Sequence, residues 1–212
     1  MNTNNKVARF AGAFYLAFIL ASIISDLIAH VGFGDAPTII NALSANPALF
    51  RVGFVISLVS AFFFFMAAWY LYVLLKPVNK DIALLFLLLN LIGVTIQCAG
   101  MLPLYAAVLS VGQVTSETYL FVNVFKSSVT MAQLFFGTWL FPLGYLVYKS
   151  KFLPKLLGTI LILDGVAVMI FFFQMLLLPA YPQIHYPGLV VSFLAEVGLT
   201  LWLLILGAKT DA

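Results

Sequence analysis

Three carboxyls in this sequence stand in apolar surroundings: Asp26, four residues before His30; Asp164, in Leu163-Asp164-Gly165; and Glu196, in Ala195-Glu196-Val197-Gly198. A carboxyl and an imidazole that meet around one water can move protons. Asp26, His30 and Glu196 are therefore the residues that would carry acid/base chemistry, with a polar headgroup as substrate. Arg51 and Lys126 are cations and Gln97 is a neutral donor and acceptor, a set suited to holding an anionic or polar group. Together Asp26, His30, Arg51, Gln97, Lys126 and Glu196 compose a predicted polar pocket, and Asn90 with Asp164 a predicted inner polar pair.

Many other chemistries lack their residues. The single cysteine, Cys98, excludes dithiol exchange. Two histidines, His30 and His185, are too few for a diiron site or stacked haems, so neither a metal nor a cofactor is expected. Intramembrane proteolysis by serine would need a mid-span histidine, and Asp164 lacks the Gly-x-Gly-Asp context of the aspartyl arrangement. No glycine-rich phosphate loop is present.

The elements that position these residues follow from composition. Of 212 residues 64% are apolar and 8% charged, with a mean hydropathy of +1.15; soluble chains are about half apolar and about a quarter charged. That composition excludes a water-soluble enzyme, a disordered chain and a nucleic-acid binder, despite a pI near 9.0. Six apolar runs are long enough to cross roughly 30 Å of hydrocarbon: 8–30, 49–75, 82–109, 128–148, 152–178 and 187–206. The runs are continuous, so each is a helix, and the prediction is an all-α, single-domain, six-helix membrane bundle over 1–212.

Eight of the ten basic residues, Lys6, Arg9, Lys76, Lys80, Lys149, Lys151, Lys155 and Lys209, fall on one side, with Arg51 and Lys126 opposite. The positive-inside bias places both termini in the cytoplasm. Asp35, Pro37 and the spacing of Ile39, Ile40 and Leu43 predict a short interfacial helix in the first outer loop. The segment 116–125 is either a lead-in helix or the overlong end of the fourth span. In span one the ridge Ala13, Ala17, Ala21, Ser25 and Ala29 predicts a close-packing seam.

Depth is counted at 1.5 Å per residue from the nearest basic or acidic anchor. Asp26, Gln97 and Glu196 then fall about 25, 24 and 20 Å in, in one outer layer, while Asn90 and Asp164 fall near 13 Å. Arg51 and Lys126 reach the outer interface, from which they could bend toward the acids.

Several stretches resemble a family of bacterial six-span membrane proteins catalogued as domain of unknown function DUF4386. They are Ala8-Arg9-Phe10-Ala11-Gly12 with Phe14-Tyr15-Leu16, Leu49 to Gly53, Leu75 to Lys80, Leu143 to Ser150 with Phe152 to Gly158, and Ala195 to Gly198 followed by Leu201 to Leu204. The two turns and the Glu196 to Leu204 segment are the most specific. Similarity to this family implies the six-span fold and a bacterial inner membrane, and transfers no activity. Where the family often places aromatics after an acid near the end of span one, this chain has Asp26-Leu27-Ile28.

The residues thus point first to an inner-membrane protein that binds an amphiphilic or small polar ligand in an outer pocket. Catalysis on a lipid headgroup by Asp26, His30 and Glu196 stands second, and a structural or partner-binding subunit with the acids paired to Arg51 and Lys126 third. Membrane lipids, an amphiphilic ligand and a second copy of the chain are the expected partners, with no nucleic acid among them.

Overall fold

The computed structural model describes residues 3–110 and 116–208. Helix α1 (Thr3–Ala29) leads through a turn to the short α2 (Ala36–Ala45). There follow α3 (Pro47–Leu75), α4 (Lys80–Leu109), α5 (Ser116–Lys149) and α6 (Lys155–Leu177). A 3₁₀ turn (Pro182–His185) then enters α7 (Tyr186–Leu201), which runs into a π-helical turn (Trp202–Leu206). All described regular structure is helical, and six of the helices are long and apolar enough to cross a membrane. Their outer faces carry large apolar side chains, among them Leu102 at 71%, Leu177 at 72% and Phe193 at 64% exposure. So much apolar surface around every span needs acyl chains as its solvent, which makes this a multi-pass membrane protein.

The starts of the helices are written in their caps. Asp35 accepts from the Thr38 N–H at 2.9 Å ahead of α2, Asn46 from Leu49 at 3.0 Å ahead of α3, and Asn79 from Asp81 and Ile82 ahead of α4. Pro37 and Pro47 occupy first-turn positions, where a missing N–H costs nothing. At the terminus-bearing end Lys76 and Lys155 lie over the rings of Tyr72 and Tyr148, as interfacial anchors do.

The spans form a ring in chain order: α1 on α3, α3 on α4, α4 on α5, α5 on α6, α6 on α7, and α7 with its π turn back on α1. Small residues set the closest approaches. A Cβ at Gly158 of α6 would come within 2.7 Å of the Gly144 carbonyl oxygen of α5, and one at Gly165 within 3.2 Å of the Gly137 carbonyl oxygen. The ring's terminus-bearing half is filled by aromatics: Tyr15, Phe64, Phe86 and Trp139 are buried, with Phe64 edge-on to Trp139 at 5.3 Å and stacked on Phe18 at 4.4 Å. These aromatics belong to one buried apolar cluster to which all six spans contribute.

At the opposite end α5 settles the open alternative: 116–125 is part of one 34-residue helix. At about 50 Å it overshoots the hydrocarbon by several turns. The overhang explains where α2 lies. Its apolar residues Ile39, Ile40 and Leu43 are buried against Phe50, Leu104, Val122 and Phe125, so α2 caps the bundle and spends its apolar face on protein. The small-residue ridge of α1 also differs from expectation. It is buried at the end away from the terminus, where Ser25 donates to the Gly53 carbonyl at 2.8 Å and Ala29 sits against Gly53, is half-buried at Ala17 and Ala21, and is exposed at Ala13. Towards the terminus the packed face turns to Ala8, Ala11, Gly12 and Tyr15, because α1 there meets the π turn at Leu203 and Leu204.

Candidate functional site

The turn between α1 and α2 is the first component of a cavity at the end of the bundle away from the termini. α1 ends at Ala29, and His30 takes a left-handed backbone at φ 55° that redirects the chain. Asp26 holds the turn that follows: its Oδ1 accepts the N–H groups of Gly32 at 2.8 Å and Phe33 at 3.0 Å. Its carboxylate thus serves the backbone two turns on, and no hydrogen bond joins it to the His30 ring among the described residues. Lys126, on α5, reaches across and donates to the Gly34 carbonyl, within electrostatic range of Asp26 and Asp35. An ammonium carries three donors, so two remain available after that bond.

Between this turn, α5, α6 and the 3₁₀ turn lies a part-open cavity of about 200 Å³. Its walls are mostly apolar, from Phe125, Val129, Phe171 and Met175, and its polar groups are Lys126, Thr130 and His185. His185 is fixed by a 2.9 Å hydrogen bond between Nδ1 and Gln174 Oε1 and by an edge contact with Phe171 at 4.9 Å. Gln174 is buried, and its amide nitrogen donates to the Leu178 carbonyl. A second cavity of about 80 Å³ adjoins the first across Val31, Gly32, Phe125 and Val129, and reaches the ring's interior. It is lined by Ser22, Ser25, Ser57, Ser60 and Gln97; Ser22 and Ser60 share a 2.8 Å hydrogen bond.

Of the predicted pocket residues, the structure therefore puts Lys126 and Gln97 on these cavities and Asp26 and His30 in the turn that roofs them. Arg51 is exposed on the first turns of α3 and lines neither. Glu196 lies elsewhere. It is in electrostatic range of Asp164 and of Tyr15, and Tyr15 precedes Asp26 on α1 by eleven residues, about 16 Å of rise. The difference from the depth count has a simple cause. That count began at Lys209, which lies outside the described residues, whereas the helical run ends at Leu206 and Gly207 breaks it at φ 67°. Counted from Leu206, Glu196 is about 15 Å in, level with Asp164 and Asn90.

No described Lys or Arg nitrogen comes within 4 Å of a carboxylate oxygen, so the acids do not pair with Arg51 or Lys126. Among the described residues no three of His, Cys, Asp and Glu gather as metal ligands. His185, Ser57 and Ser60 line these cavities without having been among the predicted pocket residues. The serines carried a weak signal, three residues apart in an otherwise apolar α3. His185 carried none, because its wall position depends on the 3₁₀ turn folding back over α6.

A family model described as "Domain of unknown function (DUF4386)" matches residues 10–207. An "Uncharacterized protein" of Archaeoglobus fulgidus is 30% identical over 144 residues, covering 66% of this chain and 74% of that protein. No solved structure matches.

Proposed function

Because the chain belongs to the DUF4386 family, whose description assigns no activity, we propose its function from the outer cavity: it binds the acidic head and first carbons of an amphiphile. One observation carries this reading, the placement of Lys126 with two spare donors in a wall otherwise made of Phe125, Val129, Phe171 and Met175. A cation beside aromatic and thioether surface suits a phosphate or carboxylate joined to an acyl chain. Size limits the occupant. Drug-sized sites run to roughly 300–1,000 Å³, so a cavity of about 200 Å³ takes a headgroup or a chain end and leaves the remainder in the bilayer. The adjoining serines and Gln97 supply neutral donors and acceptors for hydroxyl or ester oxygens.

We place the protein in the inner membrane with both termini in the cytoplasm, which the one-sided distribution of basic residues supports. The cavity then faces the outer leaflet. Separation of Glu196 from Asp26 and His30 removes the constellation an enzyme acting on headgroups would have used, so binding is favoured over catalysis.

The test is native mass spectrometry of gently purified wild type, Lys126→Gln and Arg51→Gln. A defined acidic amphiphile should accompany the wild type and Arg51→Gln, and be depleted roughly ten- to a hundredfold in Lys126→Gln, the worth of one charged hydrogen bond. The same bulk phospholipids on all three would overturn the proposal.

A further inference from the structure

A second polar site sits near mid-span, on the α1, α6 and α7 side of the ring and apart from the outer cavity. Asp164 of α6 is fully buried; its Oδ1 accepts the Ser192 hydroxyl of α7 at 2.5 Å, and its Oδ2 is buried with no partner. Glu196 lies one turn beyond Ser192 on the same face of α7, close enough to Asp164 for the two carboxyls to repel each other if both are charged. Tyr15 of α1 is fully buried, its hydroxyl without a hydrogen bond and in range of both carboxyls. Thr200, one further turn along α7 and 1% exposed, has an unpartnered Oγ1. Asn90 of α4, at the same level and also fully buried, has both amide atoms unpartnered.

Among the described residues no positive charge answers these acids. From α1 only Tyr15 is a titratable group at this level, with Lys6 and Arg9 exposed nearer the terminus. From α5, which flanks α6, no charged residue lies between Lys126 and Lys149, and Tyr145 there is exposed. From the 3₁₀ turn His185 is engaged by Gln174 at the far end. Lys155 is exposed nine residues before Asp164, at the start of α6. Two unpaired carboxyls and several orphaned oxygens in a low-dielectric interior are costly in that state. Native proteins leave few such groups unsatisfied, and a bound water or ion is one of the usual reasons.

We propose that Asp164, Glu196 and Tyr15 form a binding site for one small, hard monovalent cation, a proton or Na⁺. The oxygen donors suit such an ion, since it prefers carboxylate and hydroxyl oxygen to nitrogen or sulfur. Ser192 positions Asp164 so that its second oxygen is left to the ion.

Thermal unfolding of the full chain in detergent, at constant ionic strength, separates the two ions. The variants are Asp164→Asn and Glu196→Gln, which keep side-chain shape, with Ser192→Ala as a milder third. If Na⁺ is the ligand, replacing choline by Na⁺ at pH 8.5 raises the wild-type melting temperature by roughly 5–10 °C at a hundredfold excess over its dissociation constant. The rise shrinks as the pH falls, and is lost in Asp164→Asn and Glu196→Gln. If the ligand is a proton, Na⁺ and choline behave alike, and infrared difference spectra between low and high pH show a protonated-carboxyl band that Glu196→Gln or Asp164→Asn removes. In either case Ser192→Ala shows a reduced response. A wild type that responds to neither ion, or responses unchanged in the variants that fold, would overturn the proposal.

Discussion

Asp35 fixes the start of α2 through hydrogen bonds to Thr38, and those bonds hold its carboxyl below the ordinary carboxylate range, with the Lys126 charge adding to the effect. A carboxyl with a lowered value in the folded chain stabilises above its unfolded value, near 3.9, and that contribution is lost as the pH falls through the folded value. The cap should therefore hold α2 at neutral pH and release it in strong acid. Hydrogen exchange of the α2 amides, corrected for intrinsic rates, should show protection at pH 7 that drops by pH 3. Asp35→Ala should show low protection at both. Asp26 illustrates what single residues reveal and conceal in sequence. Its spacing from His30 suggested a side-chain pair, but a carboxylate at a helix end competes for backbone donors as well, and the unpaired N–H groups of Gly32 and Phe33 won it.

At the scale of elements, the contact between α5 and α6 rests on two glycine pairs seven residues apart in each helix, Gly137 and Gly144 against Gly165 and Gly158. A side chain at Gly158 would meet the backbone of Gly144 and Tyr148, which cannot move aside as a side-chain end could. Gly158→Leu is expected to destabilise by roughly 2–3 kcal/mol, in the range of overpacking a tight contact. Gly198→Ala meets only Leu157 Cδ2 at 3.7 Å and should be near neutral, so thermal melts of the two variants side by side check the geometry. The α2 helix was legible from Asp35, Pro37 and its three apolar residues, because caps and periodicity are local. Its burial against protein was not, since that depends on the length by which α5 overshoots the bilayer.

For the whole molecule, span count and helical class were legible because hydrocarbon leaves the chain no other way to satisfy its backbone. Which polar residues meet was not, because depth counting carries no information on rotation about each helix or on where a helix stops. Lys126 and Gln97 line cavities at the end of the bundle away from the termini, while Glu196 lies in range of Asp164, its helix having ended at Leu206. The orientation is open to direct measurement. In intact cells a membrane-impermeant maleimide should label Asn41→Cys, exposed on α2, and should reach Lys151→Cys, exposed in the turn before α6, only after permeabilisation. The opposite pattern would place the termini outside.

The ring order of the spans also bears on biogenesis. Among the described residues the extensive helix-on-helix contacts join spans adjacent in the chain, except for the closure of α7 and its π turn on α1. As helices leave the translocon one by one, the first five spans can associate in sequence, yet the nascent bundle remains a trough whose flank exposes Asp164 until the last helix arrives with Ser192. Final insertion is thus the event that hides that carboxyl from lipid. A quality-control protease that recognises polar residues stranded in the bilayer would meet, in a stalled or truncated chain, a degradation signal that the finished protein no longer displays.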